Sequence, residues 1–383
     1  MSTLKVDGIR SNSATSDAIS LVDNGTCTAN ITNNLSNRNL IINGAMQVAQ
    51  RGTSFTASAS YPVDRFRTYW GGADENPTVA QVDVASGTTP YTLGFRKAIK
   101  ITNGDQSGGA GTGDYLFLRY KVEAQDLAES GWNYTSASSY ITLSFWVKSS
   151  VPQTFQCRLE TQDGTKKNYP FETGSLSQDT WTKVTKTIPG NSNITVENDT
   201  GTGLELWWEL FRGTSETDNS VTNEAWGDPT TNRTKDQTAT WWTTDNATYE
   251  ITGVQLEVSD YATDFEHRPF AVEERLSKRY FCKYDGPLNI NFVNEHANNK
   301  KGYLHFPYEE VMRTTPSVAF SSVNISRPQV SVGISITEAQ NIQKRCFNLV
   351  GWPSGSTLGS HGDAYYRMSV SSSGGYITCD AEL

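Results

Sequence analysis

Over many short stretches of this chain, polar and apolar residues alternate with a period of two, and runs of Gly, Asp, Asn and Thr separate the stretches. Such alternation marks a half-buried antiparallel strand, whose successive side chains point to opposite faces. Over Tyr140–Lys148, Ile141, Leu143, Phe145 and Val147 share one face, while Thr142, Ser144, Trp146 and Lys148 share the other. The same pattern predicts strands at Phe95–Thr102, Asp114–Glu123, Thr154–Glu160, Trp181–Ile188, Leu204–Phe211 and Trp241–Leu256. About eight to ten such strands in roughly 230 residues predict an all-β, two-sheet sandwich of the jelly-roll kind. The one helical interruption is Glu123–Trp132, with Gly131 suited to close it as a C-cap.

The pattern changes near Phe270. Ala271–Tyr284 places Val272, Leu276 and Tyr280 at helical spacing, with Glu274 and Lys278 as an i, i+4 pair, and predicts a helix joining two domains. Alternation resumes at Lys301–Phe306, Ser317–Asn324, Gln329–Ile336, Tyr365–Ser371 and Tyr376–Ala381, which predicts a second, smaller β domain. Residues 1–38 are rich in Ser, Thr, Asn and Asp, with sparse apolar positions that include Leu4, Val6, Ile9, Ile19 and Leu21. These are too few for a core, so the segment reads as an arm that buries them against a partner. The expected division is an attachment and oligomerisation arm (1–38), the jelly roll (39–270), and the linking helix with a terminal β domain (271–383).

Composition narrows the functional classes. Only 36% of the 383 residues are hydrophobic, but 11% are aromatic, and these rings supply the apolar area a core needs. No apolar run reaches the length of a membrane-spanning helix, and no charged start followed by an apolar stretch marks a secretory signal. The five cysteines are widely spaced without a C-x-x-C, so they read as free thiols in a reducing cytosol. None of the four histidines sits in H-E-x-x-H or in an i, i+4 pair, which argues against a zinc hydrolase. The net charge is −9, and residues 1–270 hold 31 acids against 21 Lys and Arg. That balance argues against nucleic acid and favours neutral ligands or cations over polyanions.

Candidate chemistry centres on tryptophans. In Leu204–Phe211 (LELWWELF) the leucines and Trp208 share one face, and Glu205, Trp207, Glu209 and Phe211 share the other. Trp241 and Trp242 likewise split across a strand, one ring per face, and Trp226 sits in a polar loop, NEAWGD. Aromatic faces beside carboxylates suit sugars, since the ring stacks on C–H groups and the acids take hydroxyl protons. The candidate glycan-binding residues are therefore Trp226, Trp207, Trp242, Glu205 and Glu209, and the competing reading of each ring is burial under loops or a neighbouring subunit. Glycoside hydrolysis needs two acids about 5–10 Å apart in a cleft. Glu205/Glu209 and Glu309/Glu310 are close in sequence, but salt bridging or solvation is their default, so no catalytic residue is assigned. The Glu266–His267 pair lacks an adjacent Ser or Cys nucleophile, and reads as part of a hydrogen-bonded hinge. No cofactor is expected. Jelly rolls often carry a structural calcium ion and the Asp-rich loops offer oxygen ligands, but no D-x-D-x-D-G loop specifies a metal site.

Several segments resemble a phage tail-fibre family. Asn39–Arg51 (NLIINGAMQVAQR) and Tyr61–Phe66 (YPVDRF) resemble the opening of the carbohydrate-binding-module-like jelly roll found in such fibres. EAQDLA and ITLSFWVKS, within Lys121–Ser149, resemble its middle, and Ile251–Tyr280, with its FEHR exit, resembles its close. Phe306–Val318 and Thr378–Leu383 resemble the C-terminal β domain that follows. The resemblance implies a non-enzymatic virion protein, made in the host cytoplasm and carried as a tail appendage. It further implies a homotrimer, an arm over residues 1–38 that attaches to another tail or baseplate protein, and adsorption to a host-surface glycan without membrane insertion. The alternative is a purely structural capsid-surface fibre or baseplate decoration protein.

Overall fold

The computed structural model describes residues 6–10, 12, 18–21, 27–29, 38–229, 232–285, 293–295, 301–321, 323–327, 330–353, 367–370 and 375–383. The protein is an all-β jelly-roll sandwich with further small antiparallel sheets before and after it. Near the N-terminus, β1 (Gly8–Ile9), β2 (Ile19–Leu21) and β3 (Cys27–Ala29) form a three-stranded sheet. Val6, Ile9 and Leu21 are exposed there and Ile19 is half-buried, while Leu4 lies outside the described residues.

Twelve strands make the sandwich, more than the alternation predicts. They begin with β4 (Ser54–Phe55), β5 (Ser60–Val63), β6 (Phe66–Gly71) and β7 (Thr78–Asp83). A short helix, α1 (Thr89–Thr92), precedes β8 (Lys97–Thr102) and β9 (Tyr115–Glu123). After the helix α2 (Ala124–Ala128) come β10 (Tyr140–Ser149), β11 (Thr154–Thr161) and β12 (Asn168–Ser175). The last three are β13 (Thr182–Pro189), β14 (Thr202–Arg212) and β15 (Thr248–Val258). One sheet has the order β13-β10-β15-β8-β7-β4 and the other β12-β11-β14-β9-β6-β5.

The alternating positions build the core between the two sheets. Ile141, Leu143, Phe145 and Val147 of β10 are buried against Leu204, Leu206, Trp208 and Leu210 of β14. Phe145 meets Trp208 edge to face at 5.7 Å, joining the sheets at their centre.

Two expected elements are corrected. The strand predicted from Trp241 starts only at Thr248. Trp241 and Trp242 lie in the turn before it, where both rings are fully buried, and the Asn103 side-chain amide donates to the Trp242 carbonyl at 2.5 Å. The helix expected to reach Tyr284 ends at Lys278 as α3 (Phe270–Lys278), and Phe281–Asp285 forms β16. Long-range pairing overrides the helical spacing there, because Phe281–Asp285 pairs in register with Tyr376–Asp380.

The FEHR segment fastens the sandwich's entry to its exit. Glu266 accepts from the Asn39 amide at 2.8 Å, Arg268 donates to the carbonyls of Asn39 and Ile41, and Glu273 accepts from the Asn43 amide at 2.7 Å. His267 instead meets the Leu93 carbonyl at 2.8 Å, so the His267–Glu266 pair is not a catalytic dyad.

Beyond β16 follow β17 (Val293–Glu295), β18 (Lys301–Pro307), β19 (Ser317–Ser321), β20 (Val323–Arg327) and β21 (Val330–Gln340). The chain closes with β22 (Cys346–Pro353), β23 (Arg367–Val370) and β24 (Tyr376–Asp380). These strands make two sheets, β16-β24-β19 and β17-β18-β22-β21-β20-β23, around a second core that includes Phe306, Met312, Phe347, Leu349 and Ile377. Cys157, Cys282, Cys346 and Cys379 are free thiols, although Cys282 and Cys379 are register partners.

A polar clamp holds this second core to the sandwich. Arg65 sits in the β5–β6 turn at φ 75°, a left-handed conformation costly for a residue with a Cβ. That turn aims its guanidinium over the Tyr280 ring at 3.4 Å and into an ion pair with Glu382. Arg51 stacks on Phe281 at 3.5 Å, and the buried Glu123 accepts from Tyr280 Oη at 2.6 Å and Arg279 Nη2 at 2.7 Å. Among the described residues, no helix is long and apolar enough to cross a membrane.

Candidate functional site

The outer face of the β12-β11-β14-β9-β6-β5 sheet carries an ordered grid of rings and charges. Register sets its rows, because residues directly opposite on neighbouring antiparallel strands project on the same side. One row runs Arg67, Arg119, Trp207, Arg158, Pro170 across β6, β9, β14, β11 and β12. The row on one side of it is Tyr69, Phe117, Glu209, Gln156, Glu172, and on the other side it is Lys121, Glu205, Glu160, Asn168. The alternation read in LELWWELF therefore places Glu205, Trp207 and Glu209 together, as expected. Phe211 departs from that reading, because a bulge between Glu209 and Phe211 turns its ring into the core and brings Arg212 outward.

Trp207 is the centre of the grid. Arg158 lies over its ring at 3.8 Å and Arg119 at 5.1 Å, while the Phe117 ring packs against it at 4.5 Å. Arg119 also reaches over Tyr69 at 4.8 Å, and Arg67 reaches over Tyr69 at 4.7 Å. A guanidinium held over an aromatic face is attracted by the ring quadrupole and is fixed in orientation. Trp207 is itself only 7% exposed, and the half-buried Tyr69 and Tyr115 bring aromatic surface closer to solvent. Tyr115, Phe117, Trp207, Arg212, Glu216 and Arg233 line a cleft of about 230 Å³.

Beneath the rings lies a buried ionic layer. Arg158 Nε donates to Glu209 at 3.0 Å and its Nη1 donates to Glu160 at 2.5 Å. Arg212 pairs with the same Glu209 at 2.9 Å and also with Glu216. Burial works to raise the Glu160 carboxyl, but the Arg158 charge and the Gln162 hydrogen bond outweigh it and hold that carboxyl below its ordinary value. Glu209 is fully buried between two arginines, so this candidate glycan ligand serves as a structural counter-ion and cannot face a sugar. Glu205 accepts from the Trp207 indole at 3.1 Å and sits 3.3 Å from the Lys121 ammonium. Burial pulls that ammonium down from its ordinary value, with Glu205 acting in the opposite direction.

Several buried polar atoms of this face have no hydrogen-bond partner among the described residues: Gln156 Oε1, Arg158 Nη2, Asn168 Oδ1, Asn223 Oδ1 and Arg233 Nε. All five are shielded from solvent, so they belong to the interior of this face rather than to its surface.

The other sequence candidates lie elsewhere. Trp242 is a core residue, stacked on Phe211 at 5.2 Å with its indole N–H donating to the Gly109 carbonyl at 3.2 Å, so it presents no face to a ligand. Trp226 is half-buried. Its indole N–H donates to the Pro189 carbonyl at 2.7 Å and its ring leans on Tyr169, which pins the loop across the sandwich edge. One side of it still lines a hollow of about 390 Å³ with Pro170, Val221 and Asn232, at the β12 end of the grid. Glu309 and Glu310 pair with Lys278 and Arg275 rather than with each other. Arg67, Tyr69, Tyr115, Phe117, Arg119 and Lys121 are not among the candidates that the sequence singles out. The alternation of DYLFLRYKVE already put four of them on one face, and only the pairing partner of that strand was missing. Among the described residues, no group of three or more His, Cys, Asp or Glu is arranged to hold a metal ion.

No family model matches this chain, and no curated protein matches it. Solved structures similar to it include the enzymatically active domain of tailspike protein 4 from bacteriophage CBA120, at 10% identity and a TM-score of 0.30. That match covers 58% of this chain and 22% of the tailspike chain, so the protein spans less than a quarter of its length. The carbohydrate-binding module TmCBM61, in complex with β-1,4-galactotriose, matches at 12% identity and a TM-score of 0.27, over 58% of this chain and 99% of the module. The N-terminal cellulose-binding domain of Cellulomonas fimi β-1,4-glucanase C matches at 11% identity and a TM-score of 0.27, over 55% and 98% of the two chains.

Proposed function

We propose that this protein is a non-enzymatic glycan-binding appendage, and that it binds through the outer face of the β12-β11-β14-β9-β6-β5 sheet. The observation that carries the reading is the grid centred on Trp207. Rings fixed by arginines lie there beside the partly exposed Tyr69, Tyr115, Arg119 and Lys121, a mixture of stacking faces and polar groups that a pyranose requires. Along β9 the outward residues Tyr115, Phe117, Arg119 and Lys121 make a track about 20 Å long, enough for several sugar units. The reading is tested by titrating the folded chain with a glycan library and repeating the titration with Tyr69→Ala and Tyr115→Ala. Loss of binding with unchanged melting supports it, and unchanged binding sinks it.

The tail-fibre resemblance of Asn39–Arg51, YPVDRF and FEHR supports placing the appendage on a phage virion. On this reading the protein is a homotrimer, residues 1–38 attach it to a tail or baseplate protein, and its ligand is on the host surface. Three linked copies raise a weak single-site affinity by making later contacts intramolecular. Antibody-gold labelling of intact virions tests the location: gold at the distal tail supports it, and an unlabelled tail overturns it.

A second reading, a purely structural fibre or decoration protein, is favoured by one observation, the 7% exposure of Trp207. On that reading Tyr69→Ala and Tyr115→Ala disturb trimer assembly and leave host adsorption per assembled particle unchanged.

A further inference from the structure

The grid is electrically lopsided. At its β11–β14 end the guanidiniums are matched by acids: Arg158 with Glu160 and Glu209, Arg212 with Glu209 and Glu216, and Arg233 with Glu160. At its β5–β6–β9 end three cations, Arg67, Arg119 and Lys121, face a single carboxylate, Glu205. Arg119 and Lys121 share that carboxylate at 3.6 and 3.3 Å. Arg67 donates to the Ala59 carbonyl at 3.0 Å, and among the described residues it pairs with no acid. The shallow hollow these three cations line, about 10 Å³, is bordered also by Tyr61, Arg65, Glu382 and Leu383. Arg65 and Glu382 neutralise each other in their own ion pair, so they leave the excess of positive charge standing.

This end contradicts the balance of the whole chain, which is net acidic and reads as unfavourable to anionic ligands. Much of that acid lies on exposed loops and edges, such as Asp83 and Asp228, whose fields are screened within about 10 Å in physiological salt. The cations of the hollow are 16–21% exposed for Arg119 and Lys121, so they are partly desolvated and act over short range.

We propose that the glycan held by this face is acidic, a polysaccharide of carboxylate-bearing sugars of the uronic acid class, with a sugar carboxylate seated among Arg67, Arg119 and Lys121. This rests on the glycan reading of the same face. Charge complementarity selects the class: Arg67 and Lys121 add their positive charges to that of Arg119, whose Nη2 donates to Tyr69 Oη at 2.9 Å and whose Nη1 lies 3.6 Å from Glu205, and Tyr61 and Tyr69 flank the three cations. The rest of the glycan runs along β9 toward Tyr115, where the protein's own charges are already paired.

The test is affinity electrophoresis and calorimetry of the full chain with polygalacturonate, alginate and hyaluronate. Each is compared with its carboxyl-reduced form, and dextran sulfate is run beside them. At least one acidic polymer is expected to bind about tenfold or more tightly than its reduced form, the effect of one charge-assisted hydrogen bond. In the Arg67→Gln/Lys121→Gln protein that ratio is expected to fall toward one, with an unchanged thermal melt. Equal binding of acidic and reduced polymers, weakened for both by Tyr69→Ala, overturns the acidic assignment and leaves the glycan face intact. Dextran sulfate binding as tightly as the best uronate overturns it in favour of unspecific anion capture. Absence of binding to every polymer, acidic or reduced, overturns both the assignment and the glycan reading on which it rests.

Discussion

Trp207 and Trp208 are neighbours on one strand and differ in almost everything that surrounds them. Trp208 faces inward, fully buried among apolar rings, with Phe145 edge-on at 5.7 Å and Phe66 at 6.1 Å. Trp207 faces outward and is nearly as covered, but by guanidinium groups and a phenyl ring above a layer of ion pairs. The inner ring stabilises the fold through the area it removes from water. The outer ring is covered by charged groups that themselves need partners, so its burial adds little net stability and much orientation. Two equal side chains one residue apart thus separate a folding role from the recognition role proposed for the outer face.

The sharpest way to break this comparison is to remove each ring. Trp208→Ala is expected to destabilise by about 3–5 kcal/mol, the usual cost of emptying a large core site, read as a shift in the urea midpoint. If Trp207→Ala costs as much, the outer face is a second core and the distinction fails. Next in size, Glu209→Gln leaves Arg158 buried with one partner fewer, and is expected to cost about 3 kcal/mol in the same melts. A cost near zero would show that solvent reaches the ionic layer.

Asp64 sharpens the contrast from a different side, since it is a buried carboxylate away from the grid. Burial pushes it up to about 6, against the pull of Arg51 and the hydrogen bonds from Gln50. The folded state thus holds a proton that the unfolded chain releases near pH 4. The associated stability is complete below about pH 4 and is lost as pH rises through about 6, amounting to about 3 kcal/mol. Asp64→Asn should flatten that fall between pH 4.5 and pH 7.0 in urea melts, and an unaltered slope would assign it to other groups. Smallest in stability are Tyr69→Ala and Tyr115→Ala, expected within about 1 kcal/mol because both rings are partly exposed. Their effect belongs in ligand titrations, where a melt that moves while binding does not would reverse the roles assigned to the two faces.

Much of this architecture was legible in the residues. Alternation placed β9, β10, β11 and β14 within one or two residues, because strands with one apolar face write their period directly into the chain. It failed where the period was absent or misleading. Asn168–Ser175 carries NYPFETGS, whose proline and polar residues hide a strand that only its pairing with β11 reveals. RYFCKY continued a helical spacing that pairing with Tyr376–Asp380 broke. The candidate site was half visible. Adjacent tryptophans must split across a strand, so Trp207 with its two glutamates was readable, whereas Arg67, Arg119 and Arg158 join them only through register, which no single strand encodes. Trp242 misled for a related reason, since the turn holding it depends on Asn103, far away in sequence.

The wall that Glu382 and Leu383 contribute to the hollow beside Lys121 has an evolutionary consequence. Arg65 donates to the Lys121 carbonyl at 2.7 Å while pairing with Glu382, so the segment after β24 and strand β9 meet at one guanidinium. A genetic exchange that replaced the chain from Phe281 onward would keep the grid and rewrite that wall. On the proposed reading, recombination of one module would then retune the ligand preference of the other.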